Sequence, residues 1–140
     1  MAAELGIQDR VHFLGFRRDI AALMQAVDLF VFPSRYEACT LVLLEAMASG
    51  LPVITAVSAG GSEIVTPDCG FVLSDSDDVN ALAQALQTLT TDVELRTQMG
   101  LAASAVTVHH SWVSKAQSYV DLFESIDRQY TLASSAEAVP

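Results

Sequence analysis

Four stretches of this 140-residue chain are apolar at nearly every position and close on turn-forming residues: Val11-His12-Phe13-Leu14, Leu29-Phe30-Val31-Phe32, Pro52-Val53-Ile54-Thr55-Ala56 and Cys69-Gly70-Phe71-Val72-Leu73. A strand with one wet face alternates apolar and polar residues, whereas a parallel strand covered on both faces reads as a continuous apolar run. Segments with helical spacing lie between the runs, at residues 20–26 and 40–49, the second stopped by Gly50 and Pro52. A short helical piece is expected at residues 62–65. The alternation predicts an α/β fold, a Rossmann-like parallel sheet flanked by helices with right-handed crossovers. Ligands of such sheets bind beyond the carboxyl ends of the strands. Three loops qualify, at residues 15–17, 34–40 and 58–63.

Helical spacing resumes over residues 79–91, 92–105 and 112–130, the first introduced by Asp75, Asp77 and Asp78, whose charges suit the exposed amides of a helix start. Asp19 stands in the corresponding position before Ile20. Trp112, Tyr119, Leu122, Phe123 and Ile126 are expected to be buried. Residues 1–130 thus read as one domain, and residues 131–140, small and polar, as a flexible tail.

Composition narrows the function. Seventeen acidic against seven basic residues give a net charge of −10, which removes the general attraction to nucleic acid or anionic lipid. The two cysteines, Cys39 and Cys69, lack CxxC spacing, so neither a disulfide framework nor a zinc site is indicated, and a reducing cytoplasm is expected. No apolar run approaches the roughly 18 residues of a membrane span, and the first residues do not read as an export signal.

The loop after the second apolar run carries two carboxylates, Glu37 and Glu45, around the start of a helix. Glu45 lies among apolar residues, which predicts a largely buried helix and a carboxylate in need of a hydrogen-bonding partner. Spacing argues against a glycosidase pair: eight residues of helical rise would separate the two by about 12 Å, against roughly 5–9.5 Å for the acid and base of that chemistry, and the separation need not shrink much with Glu37 before the first turn. The pair reads instead as two contacts on one extended ligand. Free amides of residues 38–41 would face the same space and suit phosphate or sugar hydroxyls. A dinucleotide oxidoreductase is disfavoured, because no strand is followed by GxGxxG with a later acidic residue.

The stretches DRVHFLGF, VDLFVFPSRYEACTLVLLEAMASGLPVIT, AGGSEIV and CGFVL, followed by a helical tail with Ser111-Trp112, resemble the carboxyl-terminal donor-binding half of a GT-B-fold retaining glycosyltransferase over about residues 5–127. The most specific element is Glu37-x7-Glu45 inside the second stretch. The resemblance implies that Glu37 reaches the donor sugar as a catalytic residue and that the backbone of Ala38, Cys39, Thr40 and Leu41 lines the donor pocket. It further implies that Glu45 accepts hydrogen bonds from the nucleotide ribose, that Gly15 and Phe16 lie beside the base, and that Gly60, Gly61 and Glu63 form a glycine-rich turn passing close to the site. The implied activity is transfer of a hexosyl group from a nucleoside diphosphate sugar to an acceptor hydroxyl, with no metal or other cofactor.

Departures from the family pattern bear on activity. Ala38-Cys39-Thr40 replaces the frequent Gly-Phe-Gly, and Thr40 is expected to narrow the pocket or offer its hydroxyl. The Arg and Lys that serve the leaving diphosphate in the family belong upstream of the Val11 run and are not in this sequence, nor is an acceptor domain. The chain is therefore expected to be inactive alone and to need an N-terminal acceptor domain or a partner chain, or else to be a non-catalytic interaction module that keeps the donor-domain fold. An open sheet edge would also favour a homodimer. Arg17, Arg18 and Arg35 do not match the family's cations and are expected at the surface, solvated or ion-paired. His12 is expected to pack at a strand, His109 and His110 to lie on the surface, and Cys39 not to act as a nucleophile.

Overall fold

The computed structural model describes residues 1–136. Three strands, β1 (Phe30–Phe32), β2 (Val53–Ala56) and β3 (Gly70–Leu73), form one parallel sheet in the order β1-β2-β3, with Val53 opposite both Phe30 and Gly70. Helix α1 (Ile20–Gln25) precedes the sheet, α2 (Leu41–Ala48) connects β1 to β2, and a 3-10 turn, Ser62–Ile64, lies between β2 and β3. Helices α3 (Val79–Thr91), α4 (Val93–Thr107) and α5 (Trp112–Ala136) follow. The α/β class expected from the continuous apolar runs is the one observed.

The central strand shows why its sequence is apolar throughout. All four residues of β2 are buried. Val53 packs into a cluster with Leu43, Ala46, Met47, Cys69 and Ala103, while Ile54 and Ala56 face the other way, toward Leu73, Ala85, Leu89 and Met99. Alternate side chains of one strand thus serve two cores, one under α2 and one under α3, and α4 supplies residues to both. Thr55, the one polar residue of β2, is satisfied by donating its hydroxyl to the Phe32 carbonyl at 3.1 Å.

The acidic starts of two later helices act as caps. Asp78 Oδ1 accepts from the Ala81 amide at 2.9 Å and Asp92 Oδ1 from the Leu95 amide at 2.8 Å. Asp19 stands at the N-cap of α1 but does not cap it. Its carboxylate is taken by Arg17, whose Nε donates to Oδ1 at 2.7 Å and whose second nitrogen reaches Oδ2.

Three further expectations fail. Residues 11–14 form no strand: among the described residues no strand lies beside them to complete a ladder, so His12 does not pack at one, and Phe13 is 93% exposed. The apolar side chains of α5 are not core either, since Trp112, Tyr119, Leu122, Phe123 and Ile126 are all exposed. The reason is where α5 packs: its main contact is the turn at its own start, Val108–His110, so its apolar side chains have little of the sheet or of the other helices to lie against. The helix also continues through Ala136, past the tail boundary expected at residue 131, while residues 137–140 of that tail lie outside the described residues.

Candidate functional site

Because the sheet is parallel, the segments that follow β1, β2 and β3 emerge at one edge, and hydrogen bonds stitch them together there. Ser58 Oγ donates to the Ser34 carbonyl at 2.6 Å, the Gly60 amide donates to the Glu37 carbonyl at 2.7 Å, and the Thr40 amide donates back to the Gly60 carbonyl at 3.0 Å. Arg35 closes the third side, its Nε donating to Asp77 Oδ1 at 2.8 Å. That pairing, like the Arg17–Asp19 pair, fits the surface role expected of these arginines.

Gly60 makes this close approach possible. A Cβ at position 60 would lie 2.2 Å from the Ala38 carbonyl oxygen and 2.8 Å from that of Glu37, so no side chain fits. Gly61 next to it has φ +94°, in the left-handed region that side chains disfavour, and its amide donates to Glu63 Oε2 at 2.9 Å. Glu37, Ala38, Thr40, Gly60 and Gly61 are therefore one unit. Their amides, however, are not all free. Thr40 N is engaged by Gly60, Leu41 N donates to the Cys39 carbonyl at 3.2 Å, and Cys39 N lies 3.5 Å from Glu37 Oε1. The expectation of a bare row of donors at residues 38–41 is corrected accordingly: the loop closes on itself.

Helix α2 leads out of this loop and presents two stripes. Leu43, Ala46 and Met47 point inward and are buried, while Leu41, Glu45 and Ala48 are exposed at positions i, i+4 and i+7. Glu45 is thus not buried, contrary to the reading from its apolar neighbours. Leu41 and Ala48 are apolar yet lie on the outer stripe, so they disguised it. Together with Leu44 and Cys39, this stripe forms one wall of a groove of ≈ 510 Å³. The other wall comes from the end of α4 and the start of α5: Thr107, His110, Ser111, Trp112 and Lys115.

Of the residues expected at a donor site, the groove brings together Cys39, Leu41 and Glu45, while Glu37, Ala38, Gly60 and Gly61 form the stitched loop next to it. Gly15 and Phe16 do not line the groove, and Phe16 is 90% exposed. Thr40 is buried at the N-cap of α2, and its hydroxyl has no hydrogen-bond partner among the described residues. It fills space under the loop instead of opening toward the groove. Sequence reasoning missed the far wall. Its available signal was that Lys115, the only lysine of the chain, follows Trp112 by three residues and so shares its helix face.

A second cavity, ≈ 620 Å³, lies at the other end of α2 against α1 and α4, lined among others by Met24, Asp28, Gly50, Arg96 and Gly100. Its cation is already committed: Arg96 pairs with Asp28 at 3.5 Å and donates to the Leu89 carbonyl at 2.9 Å. It takes in the two ends of the second family stretch, at residues 27–28 and 48–52, but neither Glu37 nor Glu45 lines it. Among the described residues, no helix is long and apolar enough to cross a membrane.

Comparison with known proteins bears on the fold and the family. The chain is 38% identical over 132 residues to a D-inositol 3-phosphate glycosyltransferase of Corynebacterium kroppenstedtii, covering 92% of this chain and 29% of that protein. Sucrose-phosphate synthase from Thermosynechococcus elongatus superposes with a TM-score of 0.80 at 30% identity, over 91% of this chain and 33% of the other. HepE of Anabaena in complex with UDP superposes with a TM-score of 0.76 at 32% identity, over 89% of this chain and 35% of the other. HepE is also known in complex with UDP-glucose. The chain spans about a third of the length of the proteins it matches. Residues 1–106 match the family described as glycosyl transferases group 1, and the chain belongs to that family.

Proposed function

We propose that this chain is the nucleotide-sugar-binding portion of a retaining glycosyltransferase that moves a hexosyl group from a nucleoside diphosphate sugar to an acceptor hydroxyl. The observation that carries the reading is the placement of Glu45 on the outer stripe of α2, in the wall of a groove that also contains Cys39 and Leu41 at the helix start. A carboxylate there accepts from paired hydroxyls such as those of a ribose. The UDP and UDP-glucose complexes of HepE support a ligand of this class.

In this reading Glu37 meets the donor sugar at the loop held by Gly60, and the positive end of α2 stabilises charge on the departing diphosphate. No metal ion takes part. Acceptor binding belongs to polypeptide beyond these 140 residues or to a second chain, and the 140 residues alone bind donor without transferring it. The free thiols of Cys39 and Cys69 suit a reducing cytoplasm. A second reading, a non-catalytic module that docks a partner or another copy, is favoured by the exposed apolar side chains of α5.

Calorimetric titration with UDP, GDP, ADP and their sugars, repeated on Glu45→Ala, separates the two. Saturable binding of one nucleotide that is lost in Glu45→Ala is the expected result. Binding of none, together with concentration-dependent association in light scattering, would favour the docking module.

A further inference from the structure

The groove holds two opposite charges that do not meet. Glu45 on α2 and Lys115 on α5 line the same ≈ 510 Å³ space, yet among the described residues neither forms an ion pair. Two such groups in one groove, farther apart than an ion pair, leave room between them for a ligand that presents donors to one and negative charge to the other.

Lys115 is also where local physics would not put it. It is the fourth residue of α5, in the first turn, where the helix dipole disfavours a cation and favours an acid. The other two capped helices follow the rule, with Asp78 and Asp92 at their starts. A chain of net charge −10 thus places its only lysine at a helix start, facing a cavity. A local choice that contradicts the propensity of its own element is expected at functional sites.

We infer that Lys115 is a binding residue for the diphosphate of the donor nucleotide, taking the phosphate oxygens while Glu45 accepts from the ribose hydroxyls across the groove. This rests on the nucleotide-sugar reading above. Nothing in the sequence motif assigns Lys115, and its contribution is separable from that of Glu45. An ammonium is a point charge on a flexible stem of four carbons, so it follows phosphates whose exact position varies with the bound sugar. The helix start that disfavours Lys115 when the groove is empty disfavours it less once the anion is present, so ligand binding and helix stability reinforce one another.

The test is calorimetric titration of the 140-residue chain, Lys115→Met, Lys115→Arg and Glu45→Ala with UDP and with uridine, at low and high salt. Lys115 is exposed, so its substitution should leave the circular dichroism spectrum unchanged. Expected for Lys115→Met is about a tenfold loss of UDP affinity with uridine affinity unchanged, the loss of one charge-assisted hydrogen bond. Lys115→Arg should keep most of the UDP affinity, and high salt should weaken UDP on the parent chain more than on Lys115→Met. Equal UDP affinity in the parent and Lys115→Met, or an equal loss for UDP and uridine, would overturn the role of Lys115 and leave the nucleotide reading standing. If GDP or ADP and not UDP is the nucleotide that binds, the same comparisons are made with it and its nucleoside; binding of none of the three to the parent chain, or a Glu45→Ala variant that binds the nucleotide as well as the parent does, would overturn that reading and Lys115 with it.

Discussion

Helices α2 and α5 face each other across the groove, and both are rich in apolar residues, yet they relate to the core in opposite ways. Helix α2 is eight residues long and sits over β1 and β2, so its inner stripe is sealed and only its outer stripe meets solvent. Helix α5 is 25 residues long and leans mainly on the turn at its own start, Val108–His110, so Tyr119, Leu122, Phe123 and Ile126 stay exposed, with the Tyr119 and Phe123 rings stacked at 6.4 Å. Apolar content alone does not decide burial. The decisive quantity is how much of a helix lies over the sheet, and groove residues fall where that cover ends: the outer stripe of α2 and the first turn of α5.

The sharpest way to break this comparison is inside α2 itself. Leu43 is fully buried, while Leu41 is 54% exposed two residues away. Leu43→Ala should cost about 3 kcal/mol in urea unfolding, the transfer and cavity terms of a core leucine, whereas Leu41→Ala should stay within about 0.5 kcal/mol. Similar losses at both positions would mean that the two stripes are not distinct. Next in size is Gly60→Ala. The added carbon would press on backbone carbonyls that no rotamer change can move aside, so a loss of about 2 kcal/mol is expected, with the 37–40 loop displaced and nucleotide affinity reduced. A variant of parent stability would show that the loop is free to retreat.

For α5 the expected effect is smaller in stability and larger in association. Phe123→Ser removes an exposed ring, so unfolding free energy should change by less than about 0.5 kcal/mol while any concentration-dependent association weakens. Sedimentation at several concentrations reads the second effect. A loss above about 2 kcal/mol in dilute protein would instead place Phe123 in a packed interface within the chain.

These contrasts also explain what the sequence could and could not show. The runs at Leu29–Phe32, residues 52–56 and residues 69–73 declared themselves because a doubly covered strand tolerates almost no polar residue. The same rule misread residues 11–14: an apolar run states what a segment needs on its two faces, not that a neighbouring strand is there to pair with it. Glu45 was found as a functional candidate but placed wrongly, since Leu41, Leu44 and Ala48 filled the outer stripe with apolar residues and hid the helical period. His110, Trp112 and Lys115 could not be joined to Glu45 from the sequence, because more than sixty residues separate them and only the α4 to α5 corner brings them near.

The smallest effect concerns the other end of the molecule, where Asp19 serves Arg17 instead of α1. The Arg17 guanidinium, and to a lesser degree a backbone hydrogen bond, lower the Asp19 carboxyl below the ordinary aspartate value. The sign follows from linkage: a carboxylate whose folded value is depressed adds stability at pH above the ordinary aspartate range, and that contribution fades as pH falls through the folded value. The pair is exposed to solvent, so screening keeps the contribution small, and added salt should shrink it further. Carboxyl NMR titration of Arg17→Gln should move Asp19 up toward the ordinary aspartate range. An unshifted Asp19 would mean that the Arg17 contact does not persist in solution, and that the carboxylate is free to turn back and cap α1.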